Sequence, residues 1–338
     1  MKIRVGLIGL GDQWVARHRP ALMALSDRFQ VTAICCEVAE RSKSVADEFG
    51  AVPVDGFRAM IERNDIDAVM ALSPDWVGHL PLIAASEAGK AVYSCTALDI
   101  APGQAVEIRK RIDASGVAFM AEFPRRYSPA TLRLKELIAT RLGQPHLLFC
   151  HDRMPVEGQA DRLRRGDYCP LAWRHMMEQV DWCRYVVGAD PVSVASSVYD
   201  SPGDRQSFYQ SVSLEFPTSE SGIKPLVQLS LGHYIPERWS DALAYRRPAS
   251  LQICCGNGMA FVDLPNTLNW FNDSGQHNES LESERPVGEQ LLGQFYRSIT
   301  SLVRNQSSLN DAYRAMKVVL ACNESAETGQ RVPIQFDE

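Results

Sequence analysis

The chain has 338 residues, 45% of them hydrophobic and 22% charged, with a net charge of −6. That is ordinary globular material, long enough for two domains. The acidic balance, with nothing more basic than Arg162-Leu-Arg-Arg165 and Arg246-Arg247, excludes nucleic acid and an anionic membrane surface as main partners. Nine cysteines without a Cys-x-x-Cys spacing exclude a disulfide framework and a zinc site. No apolar run reaches signal-peptide or membrane-spanning length, so the expected location is cytoplasmic.

The first element carries the strongest signal. Val5, Leu7 and Ile8 form a short apolar run that predicts a buried strand, and it leads directly into Gly9-Leu10-Gly11. A helix-compatible segment follows from Trp14 to Leu25, interrupted by Pro20. Strand, glycine turn and helix together bring backbone N–H groups and a helix N-terminus up to a pyrophosphate. Gly9 suits the tight turn and Gly11 the close approach of backbone to phosphate, while Trp14 stands where the full fingerprint has its third glycine. Gly9, Gly11, Asp12, Gln13 and Trp14 are therefore candidate dinucleotide contacts. An ordinary tight turn between strand and helix is the competing reading.

The alternation continues to residue 122. Strands are expected at Val31–Cys36, Val52–Val54, Asp67–Leu72, Ala91–Ser94 and Val117–Ala121. Helices are expected at Ala39–Phe49, Phe57–Arg63, His79–Ala88 and Ala105–Ser115. This regularity predicts a parallel sheet with helices on both faces over residues 1–122. Beyond it the pattern changes. Pro129–Ile138 and Leu171–Val187 read as helices, and six β-rich runs between His146 and Leu264 predict a largely antiparallel sheet open on one face. Phe271–Pro286 is polar and reads as a surface loop, and helices over Gly288–Arg304 and Ala312–Thr328 close the second domain, 123–338.

In order and spacing, several segments resemble the Gfo/Idh/MocA family of nicotinamide-dependent oxidoreductases. They include Val5-Gly-Leu-Ile-Gly-Leu-Gly11, Ala46-Asp-Glu-Phe-Gly50, Ile66-Asp-Ala-Val69, Ser73-Pro74-Asp75 and Glu87-Ala-Gly-Lys90. Phe123-Pro-Arg-Arg-Tyr-Ser-Pro129, Val187-Gly188, Pro191-Val-Ser-Val194 and Asn323-Glu-Ser-Ala-Glu-Thr-Gly329 continue the likeness over nearly the whole chain. The resemblance implies an α/β protein: a Rossmann parallel sheet, then an α+β domain whose large, mostly antiparallel sheet often forms an oligomer interface. It also implies NAD or NADP as cofactor, a small sugar-like or acidic substrate, and a homo-oligomer, dimer or tetramer.

The departures from the family pattern fall on its proton chemistry. After the fifth strand the family usually carries Glu-Lys-Pro, with the lysine beside nicotinamide and substrate. This chain reads Cys95-Thr96-Ala97. The family's later Asp-x-Gly-x-His-x-x-Asp aligns here with Arg174, Met176, Glu178 and Asp181, so only the last aspartate is kept. A threonine cannot act as a base near neutral pH and an arginine stays protonated, which excludes sugar-alcohol oxidation by the usual residues.

The substitutes open to this chain are Thr96, Tyr168, Arg174, His175 and Glu178. On a helix, Arg174, Glu178 and Asp181 share a face at i, i+4 and i+7. There Arg174 would grip a carboxylate or phosphate while Glu178 accepts a proton, or the two would simply pair in a vacated site. His175 lies one residue off that face, and Tyr168 sits at the turn before the helix. Arg125, Arg126 and Tyr127 follow the sixth strand and would suit an acidic substrate or a structural role.

On the cofactor side, Cys36 stands where an acidic residue would bond the ribose 2′-OH, with Glu37 next to it. The charge of Glu37 would repel a 2′-phosphate, which favours NAD over NADP. Ser73, Pro74 and Cys95 complete the expected cofactor contacts. Three functions fit: an oxidoreductase with a non-standard site reducing a carbonyl or imine, a catalytically silent paralogue binding a nucleotide or sugar as a regulatory or assembly protein, and a lyase or epimerase that retains its cofactor.

Overall fold

Ile3, Val5, Leu7 and Ile8 are completely buried, as a strand covered on both faces requires. They set Ile3–Ile8 (β1) in the middle of a parallel sheet. The computed structural model describes residues 1–95, 104–155, 170–201, 204–235, 237–239, 241–282, 285–301 and 307–336. Among the described residues this sheet has six strands: β1, Phe29–Cys35 (β2), Val52–Pro53 (β3), Ala68–Ala71 (β4), Ala91–Ser94 (β5) and Phe119–Ala121 (β6). Their order is β3-β2-β1-β4-β5-β6, paired in parallel throughout. In this doubly wound arrangement the strand order reverses between β1 and β4, and a crevice opens at their carboxyl ends. Arg19–Ala24 (α1), Ala39–Phe49 (α2), Phe57–Ile61 (α3), Pro74–Val77 (α4), Leu80–Glu87 (α5) and Ala105–Ser115 (α6) alternate with the strands.

The chain divides into two compact units, Met1–Pro124 with Glu284–Met316 and Arg125–Ser283 with Lys317–Glu338. Residues 284–316 join the first unit through the apolar stripe Leu291, Leu292 and Phe295, which is fully buried. Phe295 stacks on Phe29 with ring centroids 6.3 Å apart and meets Tyr93 edge-on at 5.4 Å.

The second unit is built on a mostly antiparallel sheet. Its strands are Pro145–Pro155 (β7), Ser193–Ser201 (β8), Asp204–Glu215 (β9), Leu226–Ile235 (β10), Leu251–Cys255 (β11), Gly258–Asp263 (β12), Thr267–Asn272 (β13), Gly275–Ser280 (β14) and Val332–Pro333 (β15). They run β14-β13-β12-β11-β7-β10-β9-β8-β15 among the described residues, and β7–β10 is the parallel pair. One face alternates Leu148, Cys150, Val227, Leu229, Val212, Leu214, Ile253 and Val262, all buried. Pro129–Leu137 (α7) and Pro170–Val187 (α8) pack there through Leu134, Leu137, Val180, Trp182 and Cys183. On the other face Leu147, Tyr199, Tyr234 and Phe271 are each more than a third exposed.

Two elements differ from expectation. Residues 271–286, expected as a loop, instead contain the edge strand β14, hydrogen-bonded to β13. Its sequence is polar because an edge strand exposes both faces, and it is held by side chains: His277 stacks on Trp270 at 3.8 Å and Trp270 Nε1 donates to Glu279 (2.8 Å). After the short Asp241–Ala244 (α9), the final helices are Val287–Thr300 (α10) and Ser307–Thr328 (α11), the latter starting five residues earlier than the sequence suggested.

Candidate functional site

The turn after β1 is fixed by packing against the end of β4. Gly9 has φ +75°, a conformation open to glycine, and its N–H donates to the carbonyl of Cys35 at the end of β2 (2.7 Å). A Cβ on Gly9 would overlap the Ser73 side chain, and one on Gly11 would overlap the carbonyl oxygen of Leu72. Both positions therefore exclude any side chain. Asp12 and Gln13 are exposed at the start of the next helix.

Trp14, in the third glycine's place, is 3% exposed and packs against Phe49 of α2 with centroids 6.0 Å apart. The third glycine normally allows close helix–strand packing, and an indole there demands room. The first turn, Trp14–His18, is accordingly a π-turn, with His18 N–H donating to Gln13 O (3.1 Å) and Arg19 N–H to Trp14 O.

The other expected cofactor residues share the same end of the sheet. Cys36, half-buried after β2, donates its thiol to the carbonyl of Val38 (3.2 Å), and Glu37 beside it is exposed. Ser73 follows β4, and Pro74 opens α4. Cys95 follows β5, and its N–H donates to Ala71 O (3.0 Å). Gly9, Gly11, Cys36, Glu37, Ser73, Pro74 and Cys95 thus all lie at carboxyl ends of parallel strands, where this topology receives ligands. The side-chain-free turn and the exposed carboxylate after β2 fit a dinucleotide. Thr96 lies outside the described residues.

In the second unit α8 carries Arg174, His175, Glu178 and Asp181, and a 3₁₀ turn at Pro124–Tyr127 supplies two arginines. Arg125 donates through Nη2 to Asp152 of β7 (2.9 Å) and through Nε to Glu178 (3.4 Å), with its guanidinium 5.5 Å from the Trp182 ring centroid. Burial works against the Arg125 charge, and Glu178 and Asp152 outweigh it, so its pKa rises.

Arg126 grips Asp181 with two N–H groups, one at 2.6 Å, and Arg184 approaches the same carboxylate at 3.6 Å. Asp181 is 1% exposed and is held between these two arginines. The three α8 residues expected to act as one face are therefore divided: Asp181 is locked by Arg126, and Glu178 faces Arg125. Arg174 is half-buried on the same helix, and Tyr168 lies outside the described residues.

His175 brings in a residue that sequence reasoning missed. Its Nδ1 lies 3.6 Å from Asp152 Oδ2, just beyond hydrogen-bond length. Burial tends to raise the Asp152 pKa, but His175 and Arg125 outweigh it and hold the carboxyl at about 2. Asp152 is thus ionised at neutral pH and faces an imidazole nitrogen. A signal was present in the sequence, since Asp152 continues the inward alternation of Leu148 and Cys150 and puts a carboxylate where an apolar residue belongs.

Residues 3–121 match the model described as "Oxidoreductase family, NAD-binding Rossmann fold", of the Gfo/Idh/MocA group. The chain is 31% identical over 171 residues to a dTDP-3,4-didehydro-2,6-dideoxy-alpha-D-glucose 3-reductase of Actinomadura kijaniata, covering 49% of this chain and 50% of the relative. It is 31% identical over 160 residues to inositol 2-dehydrogenase 3 of Saccharopolyspora erythraea, covering 46% of each. The chain thus spans about half the length of the curated relatives it matches. The fold is shared with the aldose–aldose oxidoreductase of Caulobacter crescentus at a TM-score of 0.83 and 15% identity, covering 99% of this chain and 100% of the other.

Proposed function

We propose, from the premise that this chain belongs to the Gfo/Idh/MocA family of oxidoreductases, that it is an NAD-dependent enzyme acting on a small sugar-like, polyol, carbonyl or imine substrate. His175 takes over the proton chemistry that the family assigns to residues changed here. The observation that carries this reading is the ionised Asp152 facing His175 Nδ1 at 3.6 Å. A carboxylate in that place fixes the imidazole tautomer with the proton on Nδ1 and leaves Nε2 to exchange a proton with substrate. The gap closes by about half an ångström to a full hydrogen bond as charge develops on the ring, as catalytic contacts commonly tighten in the complex.

Nicotinamide, when bound, supplies or accepts the hydride. The chain's own residues handle the proton and the substrate's charge. Arg125 is held by Asp152 and Glu178 and orients that carboxylate pair. Arg174, half-buried on α8, is the candidate to meet an acidic substituent of the substrate. Thr96 and Tyr168 stand as auxiliary candidates for a water or proton relay. Glu37, exposed after β2, disfavours a 2′-phosphate and so favours NAD. The half-exposed sheet face bearing Leu147, Tyr199, Tyr234 and Phe271 is the surface for homo-oligomer formation, as dimer or tetramer, in a cytoplasmic protein.

A catalytically silent ligand-binding protein is the second reading, favoured by the pairing of Glu178 and Asp181 with Arg125 and Arg126. One experiment separates the two. The purified protein is titrated with NADH and NADPH by tryptophan fluorescence and calorimetry, then screened for turnover of carbonyl and imine compounds as wild type and His175→Gln. Saturable one-to-one binding, tighter for NADH, with turnover that falls about 100-fold in the variant supports the enzyme. Binding without turnover of any compound favours the silent protein, and turnover unchanged in H175Q removes His175 from the mechanism.

A further inference from the structure

Glu122 follows β6 and is 3% exposed, yet nothing in the hydride or proton chemistry uses it. Arg17 Nη1 donates to one carboxylate oxygen, and His18 Nε2 lies 2.9 Å from the other. Burial tends to raise its pKa, but His18 and Arg17 outweigh this and hold it below the usual glutamate range. A carboxylate at such depth persists only when paired and hydrogen-bonded, and its partners are the last two residues of the π-turn Trp14–His18.

That turn has reason to need an anchor. A π-turn is an uncommon, locally wide form of helix, and after Arg19 comes Pro20, with no N–H to bond back into it. The turn is also held from a second direction. A Cβ on Gly288 in α10 would stand 2.7 Å from Arg17 O and 3.2 Å from Ala21 Cβ, so the helix end closes directly on the turn. His18 itself meets Tyr93 edge-on at 6.2 Å. Its far end is therefore fixed by Glu122, Tyr93 and α10, while its near end presents Asp12 and Gln13.

We propose that Glu122 is a positioning residue of the dinucleotide site: by gripping Arg17 and His18 its carboxylate sets the turn at Asp12-Gln13-Trp14 where a pyrophosphate is received. This rests on the reading of Gly9–Trp14 as the dinucleotide turn. Glu122 touches no part of the cofactor and acts wholly through the turn. The effect belongs to the diphosphate, so NADH and ADP feel it alike.

The test measures NADH and ADP affinity together with thermal stability for wild type, Glu122→Gln, Glu122→Asp and Arg17→Gln. The expected result is a loss of about tenfold or more for both ligands in E122Q, a smaller loss in R17Q, and recovery to within about twofold in E122D. If E122Q does not fold, R17Q decides, since Arg17 is partly exposed and its removal leaves Glu122 paired with His18. Wild-type binding with unchanged affinity in the variants overturns the proposal. So does an equal loss in E122D and E122Q that follows melting temperature, which would mark a packing residue. Failure of the wild type to bind any dinucleotide overturns the underlying reading first, and this one with it.

Discussion

The glycine turn of the first unit and the charged cluster of the second are made of different material. The turn is mainly backbone: two glycines and a strand end, braced by one buried indole, contributed by a single stretch of about a dozen residues and the segment after β4. The cluster is side chain: Arg125 from a 3₁₀ turn, Asp152 from β7, and His175 and Glu178 from α8. A backbone site tolerates almost no change in shape, and its requirements are written locally. A side-chain site can be rebuilt by exchanging residues on fixed elements.

The sharpest break in this comparison is Gly11→Ala. The methyl group would meet the carbonyl of Leu72, a backbone atom at the end of a buried strand that has little freedom to yield. Affinity for NADH is expected to fall about 100-fold or more, read by fluorescence titration, while the His175 cluster keeps its own geometry. Wild-type affinity in G11A would mean the turn is an ordinary connection.

Asp152→Asn is the counterpart in the second unit. It keeps the shape and removes the charge facing His175, so kcat is expected to fall about 100-fold, as for loss of a positioned acid–base group, with NADH affinity unchanged. Combining D152N with H175Q should cost little beyond either alone, because the two act as a unit. Additive losses would separate them.

What the sequence could and could not say follows the same division. The alternation of strands and helices around β1, the glycine turn and the helix carrying Arg174 to Asp181 were legible, because periodicity and glycine placement are local. The partners were not. Arg125 and Asp152 are 27 residues apart, and Arg125 and Glu178 are 53 apart, so no spacing rule could join them. Glu122 was missed for a related reason, since a carboxylate ending an apolar strand reads as a surface residue until Arg17 and His18 are seen around it. The strand β14 was missed because stacking of His277 on Trp270, and not apolar alternation, holds it.

Acid titration distinguishes the two units through half-buried Asp152 and buried Glu122. Asp152 has its pKa depressed to about 2 from an ordinary 3.8, so its contribution is fully present above the ordinary value and is lost as pH falls through the depressed one. The shift corresponds to about 2 kcal/mol. Denaturant unfolding of wild type and D152N should therefore converge as pH drops from about 4 towards 2, on the scale set by that linkage. Glu122, also depressed, gives the first unit a decline of the same sign, which E122Q would remove while leaving the Asp152 effect in place. A stability difference between wild type and D152N that does not vary with pH would show that the pair acts by packing alone.

The smallest effect tests the cofactor side. Glu37 is exposed after β2, so its repulsion of a 2′-phosphate acts through water, at about 1 kcal/mol for unit charges about 4 Å apart. Glu37→Gln should therefore raise NADPH affinity only about fivefold, leave NADH nearly unaltered, and lose most of its effect in about 1 M salt, where the screening length shrinks to about 3 Å. A change of 100-fold would require the carboxylate to hydrogen-bond the ribose directly as well. No change at any ionic strength would mean the discrimination, if the wild type has any, lies in the backbone turn and not in the charge beside it.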